Sequence, residues 1–105
     1  MVFVTVYIPC KNLPEARKIA KATVSAKLAA CANIVGAIES HYIWKGKPCT
    51  EKETLLLLKT RKTLFKKLEA AVRKLHSYEC PCICAFKIET ASADYLRWLA
   101  DQTKA

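Results

Sequence analysis

The chain opens on Val2–Ile8, a run of β-branched and aromatic residues whose side chains would alternate across a strand. Pro9 ends the run, because proline cannot donate to a β ladder. Asn12 followed by Glu15 resembles a capping box with Pro14 in the first turn, and the apolar period then changes. Ala16, Ile19, Ala20, Val24 and Leu28 recur at helical spacing and predict a helix from Leu13 to Ala30. From Asn33 to Trp44 alternation returns, with Ile34, Ile38, Tyr42 and Trp44 on one parity and Val35, Ala37 and Ile43 on the other. A strand apolar on both sides is expected. It would reach about 40 Å at roughly 3.3 Å per residue, so part of it needs cover from outside a small monomer.

Lys45-Gly46-Lys47-Pro48 reads as a turn, and Glu53–Lys59, centred on four leucines, as the returning arm of a long hairpin. Thr60 or Thr63 is placed to cap a second helix carrying the stripe Leu64, Phe65, Leu68, Ala71, Val72 and Leu75. Cys82–Glu89 reads as the last strand, and Ser92 as the cap of a short helix packing Tyr95, Leu96, Trp98 and Leu99. The order β-α-β-β-α-β plus a helix, with two right-handed crossovers on an antiparallel sheet, predicts an α+β ferredoxin-like split β-α-β sandwich. Its helices cover one face of the sheet. The other face also carries apolar groups, so another subunit is expected to cover it.

Length narrows the picture to a single domain over residues 1–105, of which 52% are hydrophobic and 26% charged. Apolar runs such as Leu55–Leu58 fall far below the roughly 18 residues of a membrane span, so none is expected. The N-terminus lacks the pattern of a secretory signal, and we expect a cytoplasmic protein. Its six cysteines (Cys10, Cys31, Cys49, Cys80, Cys82, Cys84) are then expected as free thiols or metal ligands.

Lys and Arg number 18 against 9 Asp and Glu, and Lys59–His76 holds seven of these cations against the single acid Glu69. Such a surplus suits polyanions or phosphorylated ligands, and equally a solvated helix face. The third strand, Thr54–Leu58, has no RNP1-like aromatic run for stacking bases, so no nucleic-acid partner is expected. No two cysteines stand in a Cys-x-x-Cys pair, which sets aside the metal-chaperone domains of the same topology.

Cys80-Pro81-Cys82-Ile83-Cys84 is the densest thiol cluster, and alternate residues of a strand project to one side, so three soft ligands could share a face if the strand bends at Pro81. The same cysteines also read as small apolar fillers. His76 with Glu79 and Cys80 could add mixed nitrogen, oxygen and sulfur ligands suited to copper or zinc; His76 could equally neutralise the end of the second helix. His41, mid-strand, reads as an exposed or interface residue. Cys31 would be a nucleophile only with a cation or helix amino end to lower its pKa, and no histidine stands where it would activate the thiol. Enzymatic turnover is therefore not expected. Lys59, at a strand end, could neutralise an anionic ligand or simply face solvent.

Taken together, Leu28-Ala29-Ala30-Cys31-Ala32-Asn33, Ser40-His41-Tyr42-Ile43-Trp44-Lys45-Gly46-Lys47, Glu53 leading to Leu58-Lys59-Thr60, His76-Ser77-Tyr78-Glu79-Cys80-Pro81 and Tyr95-Leu96-Arg97-Trp98-Leu99 resemble the CutA family of divalent cation tolerance proteins almost end to end. The resemblance implies a homotrimer with long hairpins passing between neighbours, and an association with divalent metal ions, notably copper. It also implies likeness to the PII signalling proteins, whose small-molecule sites lie between subunits. Carried over by motif, Cys31, Trp44, Lys59, His76, Tyr78 and Glu79 would lie at or near such a cleft. Where the family has His-Pro-Tyr-Glu this chain has Ser77, and where it has Pro-Glu-Ile this chain has Cys82, a change that would soften a metal site. Two functions follow as expectations. One is a metal-binding trimer using His76, Glu79, Cys80, Cys82 and Cys84; the other is a PII-like regulator that binds a small anion at intersubunit clefts through Lys59.

Overall fold

The computed structural model describes residues 1–104. The elements are β1 (Phe3–Cys10), α1 (Leu13–Ser25), β2 (Cys31–Trp44), β3 (Lys47–Arg61), α2 (Phe65–Leu75), β4 (Cys84–Lys87) and α3 (Ala93–Gln102). The four strands form one sheet in the order β2-β3-β1-β4, and every neighbouring pair is antiparallel. Among the described residues no helix is long and apolar enough to cross a membrane.

Alternation along the two central strands sorts the sheet into faces. Val4, Val6 and Ile8 of β1 and Leu56 and Leu58 of β3 are buried and meet Ala16 and Ile19 of α1 and Leu68 and Val72 of α2. That is the main core, and its cross-strand pairs Val6–Leu58 and Ile8–Leu56 follow directly from the register. Phe3, of the opposite parity, packs with Ala30 and Leu99 in a second cluster under α3. Arg61, beside Phe3 in the ladder, ties α3 down by donating to the hydroxyl of Thr103 at 2.9 Å and to the carbonyl of Ala100 at the helix end. Among the described residues, no helix covers the rest of this second face. Tyr7 and Phe86 meet edge to face at 6.2 Å, Leu55 and Leu57 are half-buried, and Phe86 is 59% exposed.

Several boundaries differ from the sequence reading. α1 stops at Ser25 rather than Ala30, because Lys27 turns the backbone left-handed at φ 60° and the N–H groups of Leu28 and Ala29 fold back onto the carbonyl of Thr23. β3 starts at Lys47, well before Glu53: Lys45 and Gly46, both at positive φ, make a two-residue turn, so Lys47 and Pro48 already pair with Trp44 and Ile43. Neither Thr60 nor Thr63 caps α2, since Thr60 is buried in β3 and the helix is entered through a 3-10 turn over Lys62–Leu64 with no capping side chain. β4 shortens to Cys84–Lys87.

The hairpin is the longest feature. Only Thr54–Arg61 of β3 pair with β1, so the outer arms, Ala37–Trp44 and Lys47–Glu53, stand as two strands alone, past a bulge between Val35 and Ala37. The molecule is accordingly elongated, 45 × 25 × 23 Å. Leu56→Ala is expected to lower the unfolding free energy by about 3 kcal/mol, read from urea denaturation, through the cavity left between the sheet and both helices.

Candidate functional site

The loops that close β1 and α2 are held together by one carboxylate. Asn12 caps α1 by accepting the N–H of Glu15 at 2.9 Å. The Glu15 side chain turns back to accept the N–H of Lys11 at 2.8 Å and, across the fold, the N–H of Ser77 at 2.9 Å. Burial alone would raise the Glu15 carboxyl, but these hydrogen bonds and the nearby His76 outweigh it and hold the group below the usual carboxylate value.

His76, buried at the end of α2, continues the clasp. Its Nδ1 accepts the N–H of Tyr78 at 3.2 Å, which leaves the ring proton on Nε2, 2.9 Å from the carbonyl oxygen of Pro9. Tyr78 packs edge-on against the imidazole at 4.6 Å and donates its hydroxyl to Glu53 at 2.8 Å. Burial, then the Glu53 carboxylate, pushes the Tyr78 phenol well above its usual pKa, so it stays a donor. Glu53 is only 8% exposed.

This chain of contacts sets one wall of a cleft of about 550 Å³. Tyr78, Glu79, Cys80 and Cys82 line one side, and Ser40, Tyr42, Trp44 and Glu53 of the hairpin line the other. The β2 residues alternate, so they share the face of Glu53, the register partner of Ile38. Glu79 also reaches Lys45 at 3.8 Å across the rim.

The residues named from sequence therefore separate. Trp44, Tyr78, Glu79, Cys80 and Cys82 meet in the cleft, with Cys84 beside it, its sulfur 3.6 Å from that of Cys82. Burial, then the hydrogen bond with Cys84, pushes the Cys82 thiol up to about 11. Cys31 and Lys59 pair with one another at the far end of the hairpin. There Cys31 borders a shallow depression of about 440 Å³ with Trp98, and the Lys59 ammonium lies 5.4 Å over the Tyr95 ring. His41 is exposed on the outer hairpin between Glu39 and Thr50. All six cysteines are free thiols. Of the cations between Lys59 and His76, Lys66 and Arg73 flank Glu69 on the α2 surface.

His76 does not join the exposed thiols. Its partners are Cys10 and Glu15, whose ligand atoms and its own lie within 4.8 Å of one another, near enough to converge on an ion. Each is already engaged: Nε2 carries a proton toward Pro9, Glu15 accepts two backbone N–H groups, and burial, then the charges of Glu15 and Glu53, raises the Cys10 thiol to about 12. The trio serves as a clasp between loops. From sequence, Glu15 reads only as a cap, and Glu53 and Tyr42 stand in the family motifs without a site role. The signal for Glu53 is its place at the head of the motif that leads to Leu58-Lys59-Thr60.

An antiparallel α+β domain with thiols and carboxylates gathered at one cleft is the class the fold and site define. A family model described as CutA1 divalent ion tolerance protein matches residues 4–102, and the chain belongs to this family. It is 42% identical over 100 residues to the divalent-cation tolerance protein CutA of Thermus thermophilus, covering 95% of each. To the CutA protein of Archaeoglobus fulgidus it is 41% identical over 98 residues. The solved Thermus thermophilus structure superposes with a TM-score of 0.94 at 41% identity, covering 97% of this chain and 99% of that one. The chain spans just over half the length of the plant relatives it matches, 57% of the chloroplastic CutA 1 of Oryza sativa. Two plant relatives are described as chloroplastic and a solved archaeal one as periplasmic, so the expected cytoplasmic location does not follow from the family.

Because Glu15 titrates below its ordinary 4.5 in the folded chain, its charge stabilises the fold above that pH, and this stabilisation is lost as pH falls through the lowered value. Glu15→Gln is expected to cost about 2 kcal/mol at neutral pH. Urea denaturation repeated in acid should show wild type and variant converging.

Proposed function

We propose that the protein is a homotrimer of ferredoxin-like subunits that takes up a cuprous or soft divalent ion, and that its part in metal tolerance is coordination without turnover. The observation that carries this reading is the exposed pair of sulfurs, Cys82 and Cys84, 3.6 Å apart beside an acidic cleft. Two thiolates on one tetrahedral ion, with bonds near 2.3 Å, stand about 3.8 Å apart, so the pair fits a soft metal with little movement. Cys80 and Glu79 lie on the same lip and would complete the donor set. Such an ion would displace the thiol protons on binding, which offsets the raised pKa of Cys82.

The trimer is supported by the bare apolar strip of Tyr7, Leu57 and Phe86 and by the two-stranded outer hairpin, which an isolated subunit leaves in water. The description of the Thermus thermophilus and Archaeoglobus fulgidus relatives as divalent-cation tolerance proteins agrees with the metal reading. The anion-binding alternative has less support, since Lys59 stands at the opposite end of the hairpin from the cleft.

Anaerobic titration of the reduced protein with Cu(I) against a competing chromophoric chelator tests the reading. One ion per chain is expected, with affinity reduced about tenfold or more in a Cys82→Ala, Cys84→Ala double variant. Wild type that leaves all the Cu(I) on the chelator, or a double variant that binds as tightly, would overturn it.

A further inference from the structure

We propose that the cleft is a binding site for a small organic cation, an alkylated amine, recognised by the aromatic faces of Trp44, Tyr42 and Tyr78 and by the carboxylate of Glu53. The inference does not rest on the metal reading, since it uses none of the thiols.

Three observations lead to it. First, none of the described residues lining the cleft is basic, although the protein carries 18 Lys and Arg against 9 acids. A cavity with two carboxylates and three aromatic rings disfavours anions and suits a weakly hydrated positive charge. Second, Glu53 is more than nine-tenths buried as a residue, and Tyr78 is its one side-chain hydrogen-bond partner among the described residues. A buried carboxylate satisfied on one side only has capacity left for a cation in the cleft.

Third, the chain supplies a cation of its own at the rim. The Lys45 ammonium lies 5.7 Å from the centre of the Trp44 ring and 3.8 Å from the Glu79 carboxylate, which is the pairing of ring face and acid that an amine ligand requires. The left-handed turn at Lys45 and Gly46 sets the lysine at the tip of the hairpin beside Trp44, while the exposure of both partners keeps the ion pair weak and easily displaced. Lys45 is therefore an internal competitor, and an external ammonium of larger apolar surface takes its place against Trp44.

Tetramethylammonium is a suitable probe and tert-butanol its neutral counterpart of similar size, both titrated in the presence of a metal chelator and followed by tryptophan fluorescence and by calorimetry. Tetramethylammonium is expected to bind about tenfold or more tightly than tert-butanol. Trp44→Leu is expected to weaken it about tenfold, read by calorimetry, and Lys45→Asn, which tolerates the left-handed turn, to strengthen it severalfold. Circular dichroism verifies that both variants keep the fold. Equal binding of the charged and neutral probes, binding unchanged by Trp44→Leu, or no binding even by Lys45→Asn would each overturn the proposal. Because the chelator removes metal and the thiols are left intact, the outcome is independent of the Cu(I) titration.

Discussion

The pairing of β1 with β3 produces a sheet centre that is apolar on both faces, while a chain of this length supplies helices for one face and part of the other. α1 and α2 seal Val6, Ile8, Leu56 and Leu58, and α3, fastened by Arg61, covers only the end around Phe3. What remains is a strip running from Phe86 through Tyr7 to Leu57, continued by a hairpin with no third strand. The hairpin carries Tyr42 and Trp44 out beyond the body of the subunit, and that projection makes one wall of the cleft. The site is thus a consequence of the sheet's unbalanced cover.

The opposite wall depends on a different device. The stretch Ser77–Ile83 has no regular structure, yet its start is held by three bonds: Glu15 grips the N–H of Ser77, the preceding His76 grips Pro9, and Tyr78 grips Glu53. Each bond is between groups far apart in sequence, so the loop cannot swing without breaking contact with β1, α1 or β3. This rigidity presents Cys80 and Cys82 to the cleft while leaving their sulfurs accessible. It also explains a local reversal of charge, since acids gather at the clasp and cleft of a protein that is strongly basic elsewhere.

Periodicity made the elements legible, because burial on a helix face or a strand face repeats with a fixed spacing: the stripe of Leu68 and Val72 and the alternation of Val4, Val6 and Ile8 both appear as expected. Boundaries were less legible. Lys27 ends α1 through a left-handed backbone that lysine adopts at some cost and that no residue preference signals, and Pro48 sits inside β3 because the two-residue turn at Lys45 and Gly46 starts the ladder at once. The thiol cluster and Trp44, Tyr78 and Glu79 were visible as motif residues. The site roles of Glu53, itself a motif residue, and of Glu15 were not, because each acquires its meaning from a partner more than twenty positions away. The separation of Lys59 and Cys31 from the cleft follows from hairpin length, which places the two ends of one motif-bearing strand at opposite ends of the sheet.

The central claim is that the uncovered strip is an internal surface of an assembly. Sedimentation equilibrium of the reduced wild-type protein, carried down to nanomolar concentration, addresses it directly. The account expects a single species of three times the 11.8 kDa chain mass that does not dissociate on dilution. A stable, soluble species of one chain mass across the same range would contradict it.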